Sequence, residues 1–219
     1  DRFLNSPVTV AVSQPKAAPS RSDQRVYMVP RGWSKMKALQ PILEIEEPES
    51  AIIFVKTKRT ASELTIKLQE AGQSVDEYHG NLSQIQRELL VKRFREGKVR
   101  TIVATDIAAR GLDVEDLSHV INFDVPDNSE TYIHRIGRTG RAGKTGTAIS
   151  LIEGYDRRML KQIERKIRQT LEVSQIPNRA QVEAKRLTKL QAQVKETLAG
   201  ERMASFLPLV NELSGEYDP

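Results

Sequence analysis

Residues 51–72 read AIIFVKTKRTASELTIKLQEAG, and the change of pattern inside them decides the fold. Ala51–Val55 is a short apolar run rich in β-branched residues, which predicts a strand buried on both faces. Then the period changes. Ala61, Leu64, Leu68 and Ala71 are spaced by 3, 4 and 3, one face of a helix, and Gly72 stands where a helix-ending glycine belongs. Working outward, the alternation recurs. Strands are predicted over 25–29, 74–80, 100–106, 118–124 and 147–152, and helices over 34–45 (with Pro41 limiting its regularity), 82–97, 131–136 and 154–169. Ser83 is the expected N-cap of the 82–97 helix. Strand and helix in turn predict an α/β domain over residues 24–170: a parallel sheet with helices on both faces.

The flanks differ in character. Residues 1–23 hold an extended apolar piece and a Pro-, Ala- and Ser-rich run, read as the end of a preceding domain and a linker. Residues 171–219 are helical and highly charged, a small all-α appendage. Leu187, Leu190, Val194 and Leu198 form one stripe, and Met203, Phe206, Leu207, Leu209 and Val210 a second cluster. Either the tail folds back on the sheet domain or its apolar face takes a partner chain. Glu164–Arg168 and Glu183–Arg186 are expected to be ordinary helix ion pairs. A chain starting at Asp1 and stopping at "SGEYDP" reads as a fragment of something longer.

With 38% hydrophobic residues in 219, a real core is available. No cysteine is present, which excludes disulfides and thiolate metal sites and suits a reducing cytoplasm. Histidines 79, 119 and 134 lack metal-ligand spacing, so no metal site is expected. No apolar run is long enough for a membrane span, and the N-terminus lacks a signal-peptide pattern. The net charge of +5 is compatible with a polyanion partner without requiring one.

In a parallel α/β sheet, ligands bind beyond the carboxyl ends of the strands. The segment "ATDIAARGLDV" lies there and supplies Thr105, Asp106, Arg110, Gly111 and Asp113. The two carboxylates admit an acid–base pair, but the favoured reading puts Asp113 near a ribose and has Asp106 hold backbone and an arginine in place. Further on, "HRIGRTGRAGKTGT" (134–147) ends like a phosphate-binding P-loop. The P-loop reading fails because its first glycine would have to be residue 138, which is Arg138. Arg135, Arg138 and Arg141 recur every third residue, and a helix ending near Gly137 followed by a Gly-rich turn would aim two of them into one cleft. Guanidinium groups offer a fixed, permanently charged fork for phosphate oxygens; the alternative is a solvated basic turn.

Taken in order, "AIIFVKTKR", "HGNLSQIQRELLVKRFREG", "VATDIAARGLDV" and "INFDVPDNSETYIHRIGRTGR" resemble the motifs of the DEAD-box RNA helicases over roughly residues 24–152. The family's P-loop and Asp-Glu-Ala-Asp magnesium site do not occur here. The resemblance therefore implies the second of two RecA-like domains, inactive as an ATPase by itself. It implies that Arg138 and Arg141 reach the ATP γ-phosphate across an interdomain cleft, with Gly111 and Asp113 on the nucleotide's ribose side. His134, Arg135 and Arg110 would couple nucleotide state to domain closure. Thr57, Gly80, Arg87 and Thr105 would lie on the RNA backbone, and His79 reads as a turn or packing residue. ATP with Mg2+ would be held mainly by the N-terminal RecA-like domain of the same chain. The tail is similar to the helical dimerisation module of bacterial, including cyanobacterial, cold-shock helicases, which implies a homodimer. A related helicase acting on DNA is the second reading, and assembly as the fragment's own activity the third.

Overall fold

The computed structural model describes residues 22–140, 145–199 and 212, with the side chains of 198 and 199 left out. Among the described residues seven strands run in order: β1 (Ser22–Met28), β2 (Ala51–Phe54), β3 (Val75–Tyr78), β4 (Thr101–Ala104), β5 (His119–Asn122), β6 (Gly146–Ile152) and β7 (Glu172–Ser174). Interleaved with them are α1 (Lys35–Glu46), α2 (Lys58–Glu70), α3 (Gln84–Arg95), the single turn α4 (Asp106–Ala109), α5 (Ser129–Ile136) and α6 (Arg157–Ile167), and α7 (Arg179–Ala199) follows. The strands form one all-parallel sheet in the order β3-β4-β2-β5-β6-β1-β7. The parallel α/β architecture read from the alternation is present. Two elements had no pattern to announce them: α4 is one turn long, and β7, pairing with β1, carries the sheet past residue 170.

Helices begin at the carboxyl ends of strands because capping residues sit there. Thr57 caps α2, Ser83 and Gln86 form a capping box on α3, Thr105 caps α4 and Asn128 caps α5. Each such cap is worth about 1 kcal/mol and fixes where the chain leaves the strand. Functional side chains immediately after a strand thereby inherit a rigid base.

One face of the sheet packs against α3, α5 and α6. Ile52, Phe54, Ile102, Ala104 and Val120 meet Leu90 and Phe94 of α3 in one apolar cluster. Val26, Ala148 and Ile152 meet Tyr132, Ile136 and Ile163 of α5 and α6 in another. Between them lie polar residues that belong to neither. Asn122 of β5 donates to Ser150 of β6 at 3.0 Å, and these two are paired in register. Tyr132 donates to Gln24 of β1 at 2.9 Å. Burial raises the Tyr132 phenol above its ordinary value, so it stays a donor throughout the physiological range.

Gly146 opens β6 where another segment passes very close. A Cβ at this position would stand 1.9 Å from Thr139 Oγ1 and 2.6 Å from the Gly140 nitrogen. Thr139 cannot retreat, since its hydroxyl donates to the Leu117 carbonyl and it is fully buried. Gly146→Ala is therefore expected to cost about 1–3 kcal/mol by overpacking, seen as a lowered melting temperature.

The described residues fall into two compact units, divided at 40/41, 47/48 and 176/177. The sheet lies in the first. In the second, α7 lies along residues 41–47: Arg186 pairs with Glu44 at 2.6 Å, and Lys185 and Lys189 both pair with Glu47. The Lys189 bond holds the Glu47 carboxyl below its ordinary value, so this contribution is present above the usual carboxylate range and lost as pH falls through the depressed value. Glu183 pairs with Arg179 at i−4, not with Arg186 as expected, because Arg186 is taken by Glu44. Leu187, Leu190 and Val194 are exposed by 56%, 56% and 47%, so nothing among the described residues covers that stripe. The side chain of Leu198 and the cluster at Met203, Phe206, Leu207, Leu209 and Val210 lie outside the described residues.

Candidate functional site

The carboxyl edge of the sheet carries two adjoining cavities, and Asp106 of the Asp106–Arg135 ion pair lines both. Asp106, the first residue of α4, and Arg135, in the last turn of α5, make a bidentate pair: Nε to Oδ1 at 2.7 Å and Nη2 to Oδ2 at 2.8 Å. Arg135 is only 2% exposed. Its Nη1 donates to Asn122 Oδ1 at 2.9 Å and to the Asp124 carbonyl at 2.7 Å, and the Phe54 ring lies 4.8 Å from the guanidinium. A buried guanidinium is tolerable only with its donors met, and the carboxylate, an amide, a carbonyl and an aromatic face do so here. The reading of Asp106 as holder of an arginine is borne out geometrically. Arg135 itself is enclosed among the described residues.

On one side of that pair is a cavity of about 460 Å3 lined by Phe54, Asp106, Arg110, Glu115, His134 and Arg138, among others. Arg138 follows the C-cap Gly137 and is steadied by donating through Nη1 to the Leu112 and Val114 carbonyls at 3.2 and 3.5 Å. Its remaining donors make no hydrogen bond among the described residues. His134 and Arg110 are exposed at the same cavity. The helix does end at Gly137, as the glycine pattern predicts, and the turn carries Arg138 out of the helical register that buries Arg135. Arg141 lies outside the described residues.

On the other side is a cavity of about 640 Å3 lined by Lys56, Lys58, His79, Gly80, Arg87, Thr105 and their neighbours. Three of the four residues expected on a nucleic-acid backbone meet here, and Thr57 lies between the two lysines. Arg87 donates through Nη2 to the Gly80 carbonyl at 2.9 Å, while its Nε is buried with no partner in the described structure. Thr57 and Thr105 accept backbone N–H groups as helix caps, which orients both hydroxyls. Lys58 reaches Asn81 at 3.1 Å and Lys56 reaches Asp127 at 2.9 Å, the latter bond raising the Lys56 ammonium above its ordinary value. His79 is a turn residue, its Nδ1 accepting the Asn81 N–H at 3.2 Å.

Two expected nucleotide residues stand apart from the arginine cavity. Asp113 is paired with Arg95 of α3 at 2.8 Å, and Arg95 also donates to the Asp113 carbonyl at 2.9 Å. Gly111 lies beside it, its carbonyl accepting the Tyr78 hydroxyl at 3.2 Å. Sequence reasoning missed Asn122 and Arg95, and it placed Lys56 and Lys58 in a ligand-facing segment without giving either a role. The lysines had a signal, two cations flanking Thr57 directly after a buried strand. Asn122 had a weaker one, a lone amide closing the apolar run HVIN.

Residues 34–143 match the family described as helicase conserved C-terminal domain, and residues 177–219 match the RNA helicase DeaD dimerization domain. Over 218 residues, 100% of this chain, it is 70% identical to RNA helicase CrhR of a Synechocystis species, of which it covers 44%. It is 39% identical to the ATP-dependent RNA helicase DeaD of Mycobacterium tuberculosis, covering 38% of that protein. Among solved structures, the DEAD-box protein SrmB of E. coli bound to regulator of ribonuclease activity A superposes with a TM-score of 0.66. It is 40% identical and matches over 70% of this chain and 91% of that one. The chain belongs to the DEAD-box RNA helicases. It is the C-terminal RecA-like domain of that family, followed by a dimerization-domain segment. The chain spans less than half the length of the curated relatives it matches. Among the described residues of this DEAD-box domain, no group of three or more His, Cys, Asp or Glu could hold a metal ion, and no helix is long and apolar enough to cross a membrane.

Proposed function

We propose that this chain serves as the second RecA-like domain of an ATP-dependent RNA helicase, supplying arginines to ATP and half of an RNA-backbone surface. One observation carries the reading: the Asp106–Arg135 pair lines the arginine cavity through both partners and the lysine-rich cavity through Asp106. A displacement of α5 on one side is thus a displacement of α4 on the other. ATP supplies a phosphoryl group whose transfer is governed by positioning and charge neutralisation. The unpaired side-chain donors of Arg138 and the exposed Arg110 offer guanidinium groups to a polyphosphate end, with His134 beside them, and Arg141 is the second proposed finger. Mg2+ is assigned to the N-terminal RecA-like domain. Arg135 contributes to coupling through Asp106, not by touching another domain. Asp113 and Gly111 remain the proposed ribose contacts, which requires Asp113 to leave Arg95.

In the second cavity, Thr57, Gly80, Arg87 and Thr105, with Lys56 and Lys58, would hold sugar and phosphate, giving weak sequence preference. Closure of two domains on a bent single strand then excludes the paired partner strand, and the enzyme acts in the cytoplasm. The test is RNA-stimulated ATP turnover by the full-length protein, with DNA as competitor. Stimulation by RNA alone supports the reading; equal stimulation by DNA favours a DNA-acting relative, and none defeats both. The chain by itself is expected to show no ATPase activity.

We further infer that residues 177–219 dimerise. The exposed Leu187, Leu190 and Val194 stripe and the match to a dimerization domain support this. Light scattering is expected to give twice the formula mass for residues 1–219 and a monomer for 1–176, a truncation that keeps β7.

A further inference from the structure

We propose that α6 is a docking surface for the backbone of duplex RNA, separate from the two cavities at the sheet's carboxyl edge. Arg157, Arg158, Lys161, Arg165 and Arg168 are all exposed. At 3.6 residues per turn Arg157, Arg158, Lys161 and Arg165 fall within roughly 100° of arc, along about 12 Å of helix, and Arg168 stands at its C-cap. The opposite side of α6 is its core face, with Ile163 buried and Met159, Leu160 and Ile167 packed beside it. The four helical cations therefore project together on a rod anchored from behind.

None of the five makes an ion pair among the described residues. Several cations on other helices are met by carboxylates: Arg59 by Glu63, Arg93 by Asp76, Arg95 by Asp113, Arg179 by Glu183 and Arg186 by Glu44. On α6 the nearby carboxylates are committed elsewhere. Glu164 accepts the Leu171 N–H at 3.0 Å, Glu130 takes Lys166 at 3.0 Å, and Asp156 accepts the Glu153 N–H at 3.0 Å. The expected Glu164–Arg168 pair is absent because Arg168 ends the helix in the left-handed conformation, φ 56°. Like charges three and four apart oppose helix formation, so an unneutralised row of them is a stability cost that a polyanion would relieve.

The occupant is a duplex and not a single strand. Single-strand surfaces interleave cations with aromatic rings on which bases stack, and this stripe contains no aromatic residue. A stiff row of cations suits a stiff row of phosphates: a DNA duplex carries one charge per roughly 1.7 Å of axis, and an RNA duplex is comparably dense.

The experiment is fluorescence anisotropy of residues 1–219 with a blunt RNA duplex of roughly 16 base pairs, titrated at several salt concentrations. The Arg158→Gln, Lys161→Gln, Arg165→Gln triple variant is expected to bind duplexes of any sequence about 10-fold or more weakly, with a log–log salt slope shallower by about 2 to 3. Single-stranded RNA, which relies on the cavity containing Arg87, should lose far less. A control triple, Lys67→Gln, Lys92→Gln and Lys195→Gln, removes the same charge from α2, α3 and α7. Equal losses in both triples would reduce the effect to net charge and overturn the proposal, as would an unchanged salt slope or a loss confined to single strands. Circular dichroism melting confirms folding, and Arg158→Lys with Arg165→Lys, keeping the charge, should bind as the parent does. A charge-keeping variant as weak as the glutamine triple would also defeat it. Because no ATP enters this measurement, it can fail while the helicase reading stands, and the reverse.

Discussion

Arg138→Ala in the full-length protein is expected to lower RNA-stimulated ATP turnover by about three orders of magnitude or more, with RNA affinity little changed. The size follows from the work assigned to the residue. Phosphoryl transfer needs the developing charge met by donors that are already in place, and the Leu112 and Val114 carbonyls hold this guanidinium at the cavity rim. Arg138→Lys should recover little, since an ammonium cannot grip both those carbonyls and a phosphate in one plane. Single-turnover kinetics at saturating ATP would check this. Turnover within a few-fold of the parent would remove Arg138 from the chemistry and leave it as a clasp on the loop before β5.

The second large effect is on stability. Asp106→Ala leaves Arg135 charged, enclosed and short of two bonds, and is expected to cost about 3 kcal/mol, read by urea denaturation. The lower end of the range for broken buried pairs applies, because the Asp106 side chain is itself 36% exposed and water can partly replace it. Adding Arg135→Met should return part of the loss by removing the orphaned charge. If the double variant were no more stable than Asp106→Ala, the pair would not be coupled as drawn. Activity should fall with either change, through misplacement of α4 and α5.

Much of the architecture was legible because its strands are buried on both faces: AIIF, TIVA and HVIN stand out against charged helices. What escaped notice did so for physical reasons. A three-residue edge strand such as β7, largely exposed, has no apolar pattern to show, and its place comes from pairing with β1. The single turn α4 is too short for periodicity and rests on its Thr105 cap. At the site, the motif resemblance singled out Arg138, which lines one cavity, and Gly80, Arg87 and Thr105, which line the other. The burial of Arg135 was invisible, since its partners Asp106, Asn122 and Asp124 come together only once β4 and β5 flank β2. The pairing of Asp113 with Arg95 was hidden in the same way, as α3 and the segment after α4 are distant in sequence.

The row from Asp106 through Arg135, Asn122 and Ser150, with Tyr132 and Gln24 beyond, has a consequence for how the sheet assembles. Apolar strands such as β2, β5 and β6 are interchangeable neighbours as far as greasy contact goes, and sliding β5 past β6 by two residues would keep every side chain on its proper face. Such a slip would instead separate Asn122 from Ser150 and take the Asn122 amide away from Arg135. The polar row thus proofreads alignment. It adds little net stability of its own, yet it makes misaligned sheets expensive, so the strand ends that carry the two cavities arrive at one level.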